Sequence, residues 1–380
     1  MSAELPIREA VTRIRPYRPG KPLEEVEREL GITDAVKLAS NENPLGPSPR
    51  AIEAIREAAA SLAYYPEDSC FHLKRRLAEA VGLPEESLIL GNGSDEILHC
   101  AGLTFCSPGD NTVMASPSFV MYKTNSHLCD CEPREVPLRD FAHDLDAMVE
   151  AVDGRTRLFF VCNPNNPTGT FLPGAAIERL MDRLPKGCIL VLDEAYFEYV
   201  DAPDYPKSLG YVREGRDVIV LRTFSKIHAL AGLRVGYGMA RPEIVAALHQ
   251  TRPPFNVNSL AQVAALASLE DPEQIARSRK CNQDGKAYLA GELAARGLAF
   301  VPTEANFVFI DTGRDASRVG EELLSRGVVV RVGDWIFTSP SHMRVTIGTP
   351  EQNRRFVAAL DAVLETVPPR IADASIRSAA

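Results

Sequence analysis

No stretch of this chain is apolar for long enough to span a bilayer, and Met1–Gly20 lacks the short apolar block of a secretory leader. Both absences lead to the expectation of a cytoplasmic protein with no membrane partner. An excess of positive charge is missing as well. The net charge is -9 at pH 7, which speaks against nucleic acid or anionic lipid as a main partner but leaves room for a local basic pocket. The eight cysteines show no disulfide framework: they are scattered, and Cys100, Cys162 and Cys188 fall on apolar patterns, so buried free thiols are expected. Cys129 and Cys131 form one C-x-C pair without a second pair or clustered histidines, and no metal is expected there. Internal repeats and low-complexity segments are absent too.

What is present is ordinary in bulk and specific in detail. Apolar residues make up 45% and charged residues 24% of 380 residues, enough for one large globular domain and a smaller one. Strand-like and helix-like segments alternate from Asn111 to Met239, the grammar of an α/β sheet. The chain is expected to divide into an arm at 1–45 that packs with the small domain and a partner subunit, a large domain at 46–265 and a small α+β domain at 266–380. Within the last part, Asn306–Ile310, Val328–Arg331 and Met343–Ile347 read as strands, and Pro368–Ala380 as a frayed tail.

Three apolar runs end in polar clusters. Leu158–Cys162 leads into Asn163-Pro164-Asn165-Asn166-Pro167-Thr168-Gly169, Ile189–Leu192 into Asp193-Glu194-Ala195-Tyr196, and Asp217–Leu221 into Thr223-Phe224-Ser225-Lys226. Runs of this kind read as buried parallel strands, and ligands bind at the carboxyl ends of such strands. One sheet edge therefore receives an amide, an acid with a phenol, and an amine. Gly91-Asn92-Gly93-Ser94-Asp95-Glu96 reads as a strand-to-helix turn with Ser94 as N-cap, whose first-turn amides suit an anion. It is not a Walker A loop, because the Lys-Ser/Thr ending is missing.

These segments, with Gly-Leu-Arg-Val-Gly-Tyr at 232–237, resemble the fold-type I pyridoxal-phosphate-dependent aminotransferases. Within them, Arg-Pro-Tyr-Arg-Pro-Gly at 15–20, Asn-Glu-Asn-Pro at 41–44, Tyr-Tyr-Pro at 64–66 and Arg-Val-Thr-Ile-Gly-Thr at 344–349 are similar to the histidinol-phosphate branch. The resemblance implies an α/β fold with a large, mainly parallel α/β/α sheet domain and a smaller α+β domain. It implies pyridoxal 5'-phosphate as cofactor and Lys226 as the lysine that carries it and moves the proton. Asp193 would face the pyridinium nitrogen, while Tyr196 and Asn166 donate to the ring's phenolate oxygen. Phe119 would stack on the ring where many relatives have Tyr. Ser94, Asp95, Ser225 and Arg234 would hold the cofactor phosphate, joined by Tyr65 from the other subunit of a homodimer with shared sites. Arg344 would grip the substrate carboxylate end, with Tyr17 and Arg331 on the substrate phosphate or distal carboxylate and Asn166 also lining the substrate.

The implied reaction moves an amino group between L-histidinol phosphate and 2-oxoglutarate, an amino donor and a 2-oxo acid, in histidine biosynthesis. Two other substrate classes, aromatic amino acids and a phospho-amino acid that is decarboxylated, would use the same cofactor residues. A cofactor-binding regulator without turnover is a different class. It would need a DNA-binding module, and the roughly forty residues before the large domain carry no helix-turn-helix pattern or basic stripe.

Overall fold

The computed structural model describes residues 5–17, 20–333, 337 and 339–370. Arg18 and Pro19 of the segment at 15–20, and residues 371–380 of the expected tail, lie outside the described residues.

Twelve strands among the described residues form two sheets. In chain order they are β1 (Val36–Leu38), β2 (Leu88–Gly91), β3 (Asn111–Ser116), β4 (Glu132–Pro137), β5 (Thr156–Cys162) and β6 (Ile189–Asp193). There follow β7 (Val218–Thr223), β8 (Gly236–Met239), β9 (Ala299–Val301), β10 (Phe307–Asp311), β11 (Val328–Val332) and β12 (His342–Thr346). The chain falls into two compact units. One comprises Met1–Arg18, Glu42–Lys280 and Thr303–Asn306, the other Pro19–Asn41, Cys281–Pro302 and Phe307–Ala380.

In the first unit the sheet order is β2-β8-β7-β6-β5-β3-β4. β3 to β7 and β4 run parallel, and β8 is antiparallel to both its neighbours. Alternation along the strands explains the layers. Leu88, Leu90, Phe159, Val161, Leu190, Leu192, Val218 and Val220 belong to one core. Ile89, Leu158, Phe160, Cys162, Ile189, Val191, Ile219 and Leu221 belong to another. Successive side chains point to opposite faces of a strand, so β-branched and aromatic runs buried on both faces need helices above and below. Both faces are therefore dry, and polar residues can enter only where the strands end.

The second unit carries a five-stranded sheet of order β1-β11-β12-β10-β9. β1 pairs parallel with β11, and the remaining pairs are antiparallel. One face is buried under the helices Ala316–Ser325 and Pro350–Thr366, through Val319, Leu323, Phe356 and Leu360. The second of these helices starts with a capping box, in which Thr349 and Gln352 each satisfy the other's backbone amide.

Candidate active site

The carboxyl ends of β5, β6 and β7 lie side by side, with Cys162 opposite Asp193 and Asp193 opposite Leu221. Asp193 continues the face of Ile189 and Val191 and is 3% exposed. Its Oδ2 accepts a hydrogen bond from the Tyr122 hydroxyl at 2.8 Å, and its Oδ1 accepts one from the Ala195 amide at 3.1 Å. Burial pushes this carboxyl up to about 6, and those two donors pull against the rise. An acid on a dry sheet face, still able to ionise near neutrality, is suited to a cationic partner.

Lys226 follows β7 in a tight loop closed by backbone hydrogen bonds from Phe224 to Val235 (3.1 Å) and from Leu230 to Phe224 (3.0 Å). The Lys226 ammonium lies 5.6 Å from the centre of the Tyr196 ring, and that ring is buried. Asn43 holds the loop from outside. Its amide nitrogen donates to the Ile227 carbonyl at 2.7 Å and to Ser278 Oγ at 2.8 Å. His228 packs instead of facing solvent. It shares a hydrogen bond of 2.7 Å with Ser268 and lies 4.6 Å from the Phe224 ring, and burial pushes its imidazole down to about 4.

The Gly-rich turn after β2 runs into a helix over Ser94–Phe105. Ser94 is not the N-cap that its residue type suggests. Gly93 holds that place with φ +77°, and no side chain caps the helix. The reason is crowding. A side-chain carbon on Gly93 would lie 2.6 Å from Arg234 Nη2, and one on Gly236 would lie 2.4 Å from the Ser94 amide nitrogen. Two glycines thus let the first turn, whose amides have no intrahelical partners, close on a guanidinium. Arg234 takes φ +56° and donates through Nη1 to Ser225 Oγ at 3.4 Å and to the Ala231 carbonyl at 3.2 Å. Its left-handed backbone separates the 3₁₀ turn over Ala231–Leu233 from β8, which begins at Gly236. Half-buried Asp95 feels Arg234 and Lys226, and its Oδ1 has no hydrogen-bond partner among the described residues.

The loops after β3 and β5 are joined by Ser118 Oγ, which donates to Asn165 Oδ1 at 2.8 Å, and by the Asn165 amide, which donates to the Pro117 carbonyl and to Thr168. That joint carries Phe119 on one side and half-buried Asn166 on the other. Phe119 meets Tyr122 edge-on with centroids 5.6 Å apart. Tyr65 does not join this group within its own unit. It is 82% exposed and stacks on Phe255 at 4.8 Å. Tyr17 is exposed as well.

Arg331 and Arg344 belong to the second unit. They face each other across β11 and β12, and each is 7% exposed. Arg344 Nη2 donates to the Ala39 carbonyl at 2.9 Å, and its guanidinium lies 5.2 Å from the Phe307 ring. Directly opposite residues share one face of a sheet, so this register brings two guanidinium groups to one place, where an anion would be complementary to both.

The donor set fits a phosphorylated pyridine aldehyde: a cradle that side-chain carbons would fill, a guanidinium, a buried acid and an amine. Among known families, the model of the class I and II aminotransferases matches residues 33–360. The chain belongs to this family. The aminotransferase is 53% identical over 358 residues to the histidinol-phosphate aminotransferase of Moorella thermoacetica, covering 94% of this chain and 92% of that one. The histidinol-phosphate aminotransferase of Sinorhizobium meliloti, solved in complex with pyridoxal-5'-phosphate, superposes with a TM-score of 0.87 at 27% identity, over 96% and 99% of the two chains. Aspartate aminotransferase from Thermus thermophilus with maleate gives 0.80 at 25% identity, over 95% and 100%. Fold-type I architecture follows from both.

The sequence reading gives no role to three residues that support the candidate site. Tyr122 reads as one more core aromatic three residues after Phe119, and only the fold brings its hydroxyl to Asp193. Asn43 lies far from Lys226 in sequence, so nothing local connects it with the loop. Arg222, next to last in β7, lies on the opposite face from Asp193 and donates through Nε and Nη2, both at 2.9 Å, to Glu194 Oε2. The one available signal was an arginine within an otherwise apolar strand.

Proposed function

We propose that this aminotransferase transfers the amino group between L-histidinol phosphate and 2-oxoglutarate, with imidazole acetol phosphate and glutamate as the other pair, in histidine biosynthesis. The observation that carries the reading is the 53% identity, over 94% of the chain, to a protein of that name. The buried pair Arg331 and Arg344 supports it, because both partners of the reaction end in anions. Arg344 takes the carboxylate end, while Arg331 and Tyr17 take the substrate phosphate or the distal carboxylate of glutamate. A guanidinium fork matches either group with two hydrogen bonds.

Pyridoxal 5'-phosphate, when bound, supplies an aldehyde carbon that accepts the amino group and a protonated ring that draws the electron pair released at the substrate Cα. The chain does the rest. Arg234, Ser225 and the amides of Ser94 and Asp95 hold the phosphate. Asp193, ionised near neutral pH, keeps the proton on the ring nitrogen. Tyr196 and Asn166 donate to the ring's hydroxyl oxygen, Phe119 covers a ring face, and Asn166 also lines the substrate. Lys226 would anchor the cofactor at rest, and its Nζ, once free, would take the proton from the substrate Cα and deliver it to the carbon that had carried the cofactor's aldehyde, the reverse half-reaction running the other way. The active form is a cytoplasmic homodimer, and Tyr65 serves the phosphate of the neighbouring copy's cofactor. Its 82% exposure in one chain accords with that role.

A single-turnover titration of the yellow protein tests the reading. Cofactor absorbance is followed against L-histidinol phosphate and against phenylalanine at equal concentrations. Faster bleaching with histidinol phosphate is expected, and absent from Lys226→Ala. Faster bleaching with phenylalanine would replace the substrate, and turnover by Lys226→Ala would remove the assignment of the lysine.

A further inference from the structure

Asp193 is held by a group that no sequence motif announces. We propose that Tyr122 is a positioning residue for the cofactor ring: its buried hydroxyl, donated to one oxygen of Asp193, fixes the carboxylate and keeps it ionised for the ring nitrogen. The inference rests on the reading of Asp193 as that nitrogen's partner.

Tyr122 is built to stay where it is. It is 1% exposed, stacked on Phe160 at 4.8 Å with the planes 7° apart, and edge-on to Phe119. Its backbone is pinned from two sides. The Tyr122 amide donates to the Phe119 carbonyl at 3.2 Å, and Ser126 Oγ donates to the Tyr122 carbonyl at 2.8 Å while contacting Thr112 of β3 at 2.7 Å. Burial drives the phenol well above its ordinary range, so it keeps its proton and acts as a donor to the carboxylate. A rigid donor on one oxygen, with the Ala195 amide on the other, sets the plane in which Asp193 presents its remaining lone pairs.

The charges around Asp193 make this donor matter. Asp95, from the helix over Ser94–Phe105, and Glu194, next along the chain, both push the Asp193 carboxyl up. Arg222 neutralises Glu194, and Arg234 with Lys226 faces Asp95. The Cys162 thiol, beside Tyr122, donates to the Pro164 carbonyl at 3.4 Å. Against burial and two acids, the Tyr122 hydroxyl and the Ala195 amide are the groups that hold Asp193 in its charged form.

The test uses the full chain freed of cofactor and pyridoxine 5'-phosphate, which has no aldehyde and cannot bond to Lys226. Its affinity is measured from pH 5.5 to 8.5 by calorimetry. Wild-type affinity is expected to fall as pH drops through about 6, where Asp193 takes up its proton. Tyr122→Phe keeps the stacked ring and removes only the donor. Its midpoint should lie about one to two pH units higher, with affinity roughly two- to tenfold lower at pH 7. Asp193→Asn should bind weakly and lose the Asp193 midpoint. A wild-type curve from Tyr122→Phe beside a changed Asp193→Asn overturns the inference alone. A wild-type curve from Asp193→Asn overturns the underlying reading of Asp193. Should Tyr122→Phe not fold, Phe160→Leu removes the ring beneath Tyr122 and should shift the midpoint in the same direction by less; no shift there overturns the proposal equally.

Discussion

Asp193 and Glu194 are consecutive acids with opposite surroundings. Asp193 lies on the face that holds Tyr122 and Phe160, and it accepts hydrogen bonds from the Tyr122 hydroxyl and the Ala195 amide. Glu194 lies at 0% exposure and is met by Arg222, whose guanidinium also sits 3.5 Å from the centre of the Phe197 ring. The first acid is the one proposed to meet the cofactor's charge, and the second is paired within the fold. Glu198 is a third case. Its Oε2 is enclosed without a hydrogen-bond partner among the described residues, and burial pushes the carboxyl up from 4.5 to about 7. The folded chain therefore holds a proton that the unfolded chain releases. The stability this group contributes is full below about pH 4.5 and is lost as pH rises through 7. Glu198→Gln should gain on the wild type by up to about 3 kcal/mol between pH 4.5 and 8. Urea melts at several pH values read this, and parallel stability curves would contradict it. The acids were legible in the sequence because an apolar run stops at them. What each acid meets was not, since Arg222 reaches Glu194, and Tyr122 reaches Asp193, only when strands and helix pack.

At the scale of elements, the turn after β2 and the start of β8 meet at two glycines with different duties. The Gly93 position crowds the far end of the Arg234 side chain, which can move. The Gly236 position crowds the backbone at Ser94, 2.4 Å away, and at Gly93, 2.8 Å away, which cannot. Gly93→Ala should therefore fold, at a cost of about 1–3 kcal/mol because its φ of +77° with ψ of 167° lies in a region nearly reserved for glycine, while Arg234 swings aside and cofactor affinity drops at least about tenfold. Gly236→Ala should mainly lose stability, because backbone must part. Thermal melts with and without pyridoxal phosphate separate the two, and equal behaviour of both variants would count against the cradle. The strands expected at Asn306–Ile310, Val328–Arg331 and Met343–Ile347 lie within about one residue of β10, β11 and β12. The turns did not follow so directly. Ser94 has the right chemistry for a cap, yet steric room reserves that position for glycine.

At the scale of the whole molecule, exposed Tyr64, Tyr65 and Leu62 cluster on one segment, which is where a second copy is proposed to sit. Arg252 braces this segment from the same unit through a two-pronged pair with Asp68, at 3.0 and 2.6 Å. If sites are shared, Tyr65→Phe and Lys226→Ala should each be impaired alone, the first in cofactor retention and the second completely. Mixed dimers should then recover activity, because one of the two sites carries both native residues. Size-exclusion and mass analysis would confirm mixing, and no recovery in a confirmed mixture would refute sharing. Sequence motifs reach the residues of both units, but register does not show in them. That Arg331 stands opposite Arg344 depends on how β11 and β12 pair, and no local pattern states it.

The short strand β1 has a consequence for synthesis. Val36 pairs with Val328, so this edge of the second sheet is drawn from opposite ends of the chain. A ribosome adding about 5–20 residues per second would leave β1 without its partner for roughly 15–60 seconds. During that wait the first unit can fold around its own sheet, whereas β1 stays an unpaired segment until the far end of the message has been read. A stop or frameshift late in the gene would leave β1 permanently without a partner, although most of the first unit had been made.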